Sequence, residues 1–218
     1  MNRRLGRVLL GVVALLFGVH GLTQPMAFVV PMAILALLMR RPLTAALAAI
    51  GPSLAFVGSG LAFGLATEGF AILGNTDRAD QDKILMHARP GVDLFFGVFS
   101  YGLPMLAWLP LVKCYRFSLR EVFLLTAAYG ICAEQGGRIV LIALSSPWPG
   151  LPLAGIIGSI YGAFPTLAYM LTQQRFAPGR PEAGLRHHVL ACFLLFLQWA
   201  VFGLVVLPAL KSLPGITR

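Results

Sequence analysis

Seven long apolar runs dominate this chain, and short segments with turn formers or charged residues separate them. Their approximate limits are Leu5–Leu22, Gln24–Met39, Leu43–Leu65, Gly91–Val112, Glu121–Leu144, Leu151–Thr172 and His188–Leu210. A helix needs about 20 mostly apolar residues to cross roughly 30 Å of hydrocarbon, where its backbone polar groups must find partners within the protein. The runs therefore predict an all-α fold, a polytopic transmembrane helical bundle with about seven spans.

Few charged residues are present to face water. Only 11% of the 218 residues are charged, whereas soluble proteins carry about 25%. The chain is too short to hold these spans and a soluble domain of ordinary size, so we expect residues 1–218 to form a single integral membrane domain. The second run is short and has Pro31 in its middle. The first two runs therefore form either two full spans or a tilted, partly re-entrant hairpin, and the count is six to seven.

Lysine and arginine are distributed unevenly between the two sets of connecting segments. With the N-terminus inside, eleven lie on the inner side: Arg3, Arg4, Arg7, Arg40, Arg41, Lys113, Arg116, Arg120, Arg175, Arg180 and Arg186. Five lie on the outer side: Arg78, Lys83, Arg89, Lys211 and Arg218. Because basic residues concentrate in cytoplasmic segments, this predicts a multi-pass protein of the cell (cytoplasmic) membrane with its N-terminus inside and its C-terminus outside.

The longest connecting segment, 66–90, is predicted to be an outer loop. Its stretch Thr76–Arg89 begins with a possible N-cap, has acids in its first turn and basic residues later, and carries Ile84 and Leu85 as an apolar patch. This pattern favours a short amphipathic helix on the extracytoplasmic surface, with Asp80 facing water. A disordered polar loop is the alternative.

The net charge of +9 raises the question of nucleic acid binding. The basic residues, however, stand in small groups at the ends of apolar runs, a pattern typical of contacts with anionic lipid headgroups. We therefore expect membrane lipids as partners and no nucleic acid.

Glycines recur at a spacing of four in two of the runs. Gly60 and Gly64 in the third run, and Gly158 and Gly162 in the sixth, form G-x-x-x-G pairs, which let helix backbones approach closely. Packing within one chain is the first explanation. A homo-oligomer, or a membrane-protein partner bound through either pair, is the second.

Two opposite charges stand in the fifth run. Glu134 and Arg138 are four residues apart, a spacing that places them on one face of a continuous helix. A charge at the bilayer centre costs about 2.5–3.5 kcal/mol on insertion scales, so Glu134 should face the bundle and be paired or protonated. The pair is either part of a functional polar site or a self-satisfied contact between helices.

Further polar residues are expected near Glu134 in depth. They are Asp93 and Ser100 in the fourth run, Glu68 at the outer end of the third and Gln198 near the centre of the seventh. Together they predict a polar pocket in the outer half of the bundle that binds a substrate or an ion. His87 and Asp93 alone do not make a recognisable metal site, so neither a metal nor another cofactor is expected.

Residues 133–138 resemble in part the E-E-x-x-x-R motif of the CAAX-processing intramembrane proteases, with Glu134 and Arg138 at the second glutamate and the arginine. Ala133 stands where that family has its first glutamate, and none of the four histidines stands where the family's pattern requires one. The sequence therefore predicts no membership of this family.

Three functions remain open at the level of the sequence. The first is a small transport or permeation component whose pocket contains Glu134, Arg138 and Asp93. The second is a non-catalytic assembly or partner subunit, which the small size and the glycine pairs favour. The third is an intramembrane enzyme acting on a lipid-borne substrate with Glu134 as general acid or base, although the absence of a convincing nucleophile or metal cluster counts against it.

Overall fold

The chain folds into a bundle of helices. The computed structural model describes residues 3–79 and 85–216, and every regular element within these ranges is helical, which confirms the predicted all-α class. The helices are α1 (Arg3–Gly21), α2 (Val29–Leu38), α3 (Arg40–Ala46), α4 (Pro52–Gly74), α5 (Pro90–Cys114), α6 (Leu119–Ala133), α7 (Arg138–Ser145), α8 (Pro147–Thr172), α9 (Leu185–Val201) and α10 (Leu207–Lys211). Short 3-10 turns occupy Pro25–Phe28, Leu47–Ala49, Glu134–Gly137 and Gln173–Arg175, and a π-helical turn joins α9 to α10 over Phe202–Val206.

Four helical stretches in the described part of the chain are long and apolar enough to cross a membrane. They are α4, α5, α8 with its following 3-10 turn to Arg175, and the α9–α10 unit. A fifth candidate is the pair Pro25–Leu38 and Arg40–Ala49, which is bent by 76°. α1 contributes a shorter apolar stretch, Val8–Gly21. The protein is therefore a polytopic, membrane-embedded helical bundle.

α4 differs from the predicted third span at both ends. It begins at Pro52 rather than Leu43, because a proline disfavours the helical conformation in the residue before it. Gly51, and Ile50 before it, accordingly have non-helical ψ values of 143° and 139°. It also continues nine residues beyond Leu65, to Gly74. The predicted outer loop 66–90 was therefore wrong over its first third, and Glu68 lies inside α4 instead of at its end.

The predicted surface helix Thr76–Arg89 was wrong in the part that the structure describes. Thr76 and Asp77 form a turn after α4, and Leu85–Arg89 form successive bends. Asp80 and Ile84, which the prediction assigned to opposite faces, lie outside the described residues. Arg89 is extended (φ −83°, ψ 121°) because Pro90 follows it, and α5 starts at that proline.

α4 and α5 pack closely through glycines of α4. A Cβ atom added to Gly60 would lie 2.4 Å from the side chain of Met105, and one added to Gly64 would lie 2.4 Å from Cγ of Tyr101. No real side chain tolerates such distances. The glycines therefore let the Met105 and Tyr101 side chains lie directly on the α4 backbone.

α6 and α8 pack in the same way. A Cβ on Gly130 of α6 would lie 2.2 Å from Cγ of Tyr161, and one on Gly162 of α8 would lie 2.8 Å from the ring of Phe123. Gly158 faces Ile131 at 3.0 Å. Both G-x-x-x-G pairs are thus covered by helices of the same chain, and association of two copies through them stays a prediction.

Arginine side chains hold one end of the bundle together. Arg175 Nη1 donates to the Leu47 carbonyl at 2.7 Å, which joins the end of α8 to the turn that precedes α4. Arg180 donates to the carbonyls of Tyr115 (3.1 Å) and Gln173 (2.9 Å). These contacts place the C-terminal ends of α5 and α8 and the start of α4 at the same end of the bundle.

The opposite end contains the loop before α5 and the C-terminal segment. Arg89 Nη1 donates to the Gly215 carbonyl at 2.9 Å, and the imidazole Nε2 of His87 lies 3.1 Å from the Ile216 carbonyl oxygen. Phe28 and Phe70 pack with ring centroids 5.6 Å apart, which brings the turn before α2 to the last turns of α4. The start of α5 and the chain after α10 therefore meet at this end.

Candidate functional site

The fifth apolar run is interrupted at Glu134–Gly137, which separates α6 from α7. Gln135, Gly136 and Gly137 have φ of 49°, 66° and 88°, all in the left-handed region. The two glycines adopt this conformation without a Cβ clash, and Gln135 is the only non-glycine residue with positive φ in the described part of the chain. The Gly136-Gly137 dipeptide thus breaks a run that otherwise resembles one continuous span.

This break contradicts the prediction that Glu134 and Arg138 share a helical face. Four-residue pairing requires an uninterrupted helix, and the left-handed residues turn the two side chains apart. Arg138 is exposed, and within residues 3–79 and 85–216 it has no ion pair. Glu134 instead accepts a hydrogen bond from the hydroxyl of Tyr161, with an O···O distance of 2.5 Å.

A second carboxyl group is buried between α4 and α5. Glu68 is 8% exposed, and its Oε2 accepts a hydrogen bond from the Tyr101 hydroxyl at 2.8 Å. Gly97, one turn before Tyr101 on α5, lies beside it, since a Cβ there would be in ordinary contact with Cγ of Glu68 at 3.5 Å. The same close approach of α4 and α5 that seats the Tyr101 ring therefore positions the Glu68 carboxyl.

Asp93, in the first turn of α5, is completely buried. Its Oδ1 accepts a hydrogen bond from the backbone N–H of His87 at 2.9 Å, while Oδ2 has no hydrogen-bond partner among the described residues. The carboxyl neighbours that of Glu68. Two ionised carboxylates offer only acceptors to one another, so this pair is complete only when a proton or a cation lies between them.

Tyr129 and Gln198 extend the polar region toward α9. The amide nitrogen of Gln198 donates to the Tyr129 hydroxyl at 2.6 Å. The Tyr129 ring packs edge-on against Tyr161, with centroids 6.1 Å apart, so it adjoins the hydrogen-bonded partner of Glu134. Gln198 therefore reaches the site through Tyr129.

The two carboxyl regions are neighbours across α8. The ring of Tyr101 packs edge-on against Phe164, at 5.3 Å between centroids, one turn along α8 from Tyr161. We refer to the connected set as the carboxyl–tyrosine cluster. Its members are Glu68, Asp93, Tyr101, Tyr129, Glu134, Tyr161 and Gln198.

Four of the six predicted site residues, Glu68, Asp93, Glu134 and Gln198, thus lie in the cluster, while Arg138 and Ser100 do not. Ser100 is half-buried and makes no hydrogen bond within the described residues; its neighbour Tyr101 faces Glu68 instead. The sequence analysis missed the three tyrosines. Their positions inside apolar runs were a usable signal, because a buried phenol hydroxyl normally requires a hydrogen-bond partner.

Comparison with protein-family models, curated proteins and solved structures gives no match. The geometry of the cluster therefore carries the functional inference by itself.

Proposed function

We propose that this protein is a small transport component that binds and passes a proton at the carboxyl–tyrosine cluster. The observation that carries the proposal is the completely buried Asp93, whose Oδ2 has no hydrogen-bond partner among the described residues and whose carboxyl neighbours that of Glu68. A proton shared by the two carboxyls removes one charge from the protein interior and supplies the missing donor. Because one shared proton completes the pair, Glu68 and Asp93 together form a proton-binding site.

Glu134 is the second proton-binding group in this proposal. A tyrosine hydroxyl both donates and accepts, so Tyr101 and Tyr161 are suited to relay a proton between the Glu68–Asp93 pair and Glu134. Each tyrosine already bonds one of the carboxyls, Tyr101 at 2.8 Å and Tyr161 at 2.5 Å. The described contacts of the three acids include no lysine or arginine side chain, so nothing fixes them permanently in the ionised state.

The break after α6 supports the same function. Non-helical backbone at membrane depth is tolerated where it is buried in protein or lines a water-filled cavity, and interrupted helices mark substrate and ion sites in many transporters. Here the interruption begins at Glu134 itself, and Gln135 and Gly136 after it are exposed. The broken helix thus sets Glu134 beside exposed backbone, where it can exchange a proton with the surroundings.

Proton flux through reconstituted protein tests this proposal. The purified chain is placed in liposomes containing a pH-sensitive dye, and a potassium diffusion potential drives protons across the membrane. The wild-type protein is expected to change the internal pH faster than empty liposomes do, whereas Glu68→Gln and Asp93→Asn should lower the rate at least tenfold because a neutral amide cannot exchange the proton. Ser100→Ala, also on α5 but outside the cluster, should keep the wild-type rate.

The same assay separates the alternatives. A wild-type rate equal to that of empty liposomes would contradict proton transport and favour the assembly-subunit role. Sodium flux without a change in internal pH, measured with a sodium-sensitive dye in the same liposomes, would assign a cation to the site instead.

The topology that we propose has seven crossings, with the N-terminus inside and the C-terminus outside in the cell membrane. The two ends of the bundle support it. Arg175 bonded to Leu47 marks one end, and Arg89 bonded to Gly215 marks the other. Most of the lysines and arginines belong to segments assigned to the first end, which supports a cytoplasmic location for it by the positive-inside rule.

Reporter fusions test the orientation. Fusions after Arg41, Arg120 and Arg180 should report a cytoplasmic location, and those near Arg78 and after Lys211 an external one. A cytoplasmic signal after Lys211 would indicate an even number of crossings, with the bent pair Pro25–Leu38 and Arg40–Ala49 re-entering on one side.

A further inference from the structure

A cleft opens at the arginine-rich end of the bundle, and no residue of the carboxyl–tyrosine cluster lines it. It has a volume of about 620 Å³ and lies between the bent α2–α3 segment and the C-terminal end of α8. The 76° bend after Leu38 turns α3 away from the direction of α2 and so leaves this space beside Met170 and Leu171. The cleft is therefore a consequence of the bend.

The walls of the cleft are strongly basic. Arg40, Arg41 and Arg175 line it, and no aspartate or glutamate does. Arg175 is engaged with the protein, since its guanidinium donates to the carbonyls of Leu47, Ala48 and Ile50. Arg40 and Arg41, in contrast, make no hydrogen bond or ion pair within the described residues. Two guanidinium groups are thus available for an anionic ligand.

The floor of the cleft is apolar, and it continues into a surface that faces lipid. Ala45, Met170 and Leu171 form part of the floor. On α2, directly before Arg40, the side chains of Leu35, Leu37, Leu38 and Met39 are 42–55% exposed. A ligand that combines a phosphate with long hydrocarbon chains matches this arrangement of positive walls and apolar surface.

We propose that this cleft is a specific binding site for one anionic phospholipid. The headgroup phosphate bonds to Arg40 and Arg41, Gln174 at the rim offers a further polar contact, and the acyl chains lie along the exposed apolar side of α2. The guanidinium fork binds phosphate oxygens in pairs, which distinguishes this site from diffuse attraction to the membrane surface. The site is separate from the proton pathway and does not depend on it.

Native mass spectrometry of the full-length protein in detergent tests the proposal. Dioleoyl phosphatidylglycerol and dioleoyl phosphatidylcholine are titrated in parallel, and the dissociation constant of the first bound lipid is measured. Phosphatidylglycerol should bind at least tenfold more tightly. Arg40→Gln with Arg41→Gln should weaken its binding about 30-fold, which corresponds to about 1 kcal/mol for each arginine facing an anionic headgroup.

The matched control is Lys113→Gln with Arg120→Gln. These two exposed residues lie at the same end of the bundle, and their replacement removes the same charge without touching the cleft. The control should change the dissociation constant less than twofold. Arg41→Gln alone, at an exposed position, provides a milder variant if the double replacement lowers the folded yield.

Two results would overturn the proposal. An equal loss of binding in the control would show that only the overall charge of this end attracts the lipid. Displacement of phosphatidylglycerol by inorganic phosphate at the same concentration would show that the cleft binds a free anion and that the acyl chains contribute nothing.

Discussion

Replacing Glu68 with methionine perturbs the centre of the carboxyl–tyrosine cluster with little change in side-chain volume. The Glu68 carboxyl accepts a hydrogen bond from the Tyr101 hydroxyl at 2.8 Å and neighbours the Asp93 carboxyl, whose Oδ2 has no hydrogen-bond partner among the described residues. Methionine removes both polar contacts. Glutamine preserves them, because its carbonyl oxygen accepts from Tyr101 and its amide nitrogen donates to Asp93.

The expected magnitude follows from the number of polar groups left without a partner. A buried polar group without a hydrogen bond costs about 1–3 kcal/mol, so two such groups should lower the free energy of unfolding of Glu68→Met by about 2–6 kcal/mol. For a chain of this size, that corresponds to a fall in Tm of roughly 5–20 °C. Glu68→Gln should stay within about 1 kcal/mol of the wild type, since each polar group keeps its partner.

Thermal unfolding of the three proteins in the same detergent measures this difference, with the folded fraction after heating determined by size-exclusion chromatography. Glu68→Ala provides a check on volume, and it should be at least as unstable as Glu68→Met. Equal stability of Glu68→Met and Glu68→Gln would refute the reasoning, because it would show that the Glu68 carboxyl contributes no hydrogen bond that the fold requires.

Three further predictions concern the packing and the ends of the bundle. Gly64→Ala should destabilise the protein by about 1–3 kcal/mol in the same unfolding assay, because its Cβ would lie 2.4 Å from Tyr101, whereas Gly58→Ala, with no atom within 4 Å, should not. Tyr161→Phe removes the hydrogen-bond donor to Glu134 and should lower the free energy of unfolding by about 1–3 kcal/mol. This loss should disappear when Glu134 is already replaced by methionine, and additive losses in the double variant would contradict the contact. Deletion of residues 213–218 removes the Gly215 carbonyl that accepts from Arg89 and the Ile216 carbonyl beside His87. Hydrogen–deuterium exchange over residues 85–93 should therefore increase. Unchanged exchange would show that the C-terminal segment does not protect this end of the bundle.

The sequence by itself determined the class of fold. Long apolar runs with few charges have no alternative to helices in a membrane, because backbone polar groups must be satisfied without water. It also identified four members of the cluster, Glu68, Asp93, Glu134 and Gln198, since an ionisable or amide side chain inside an apolar run is costly unless the bundle provides a partner.

Local sequence signals for the element boundaries were present, but hydropathy concealed them. Pro52 starts α4 and Pro90 starts α5, and each forces the residue before it into an extended conformation. The Gly136-Gly137 dipeptide ends the helix that the fifth run would otherwise continue. Hydropathy averages over such residues. It therefore located the apolar segments but not the residues at which the helices begin and end.

Only the tertiary structure decided which polar groups meet. The pairing of Glu68 with Asp93 depends on the distance between α4 and α5, which Gly60 and Gly64 on α4 set by close packing. The separation of Arg138 from Glu134 depends on three left-handed residues. Hydrogen bonds act over about 3 Å, whereas sequence spacing predicts neighbouring side chains only within an unbroken helix. The packing of the assembled bundle therefore decides which side chains bond to these acids.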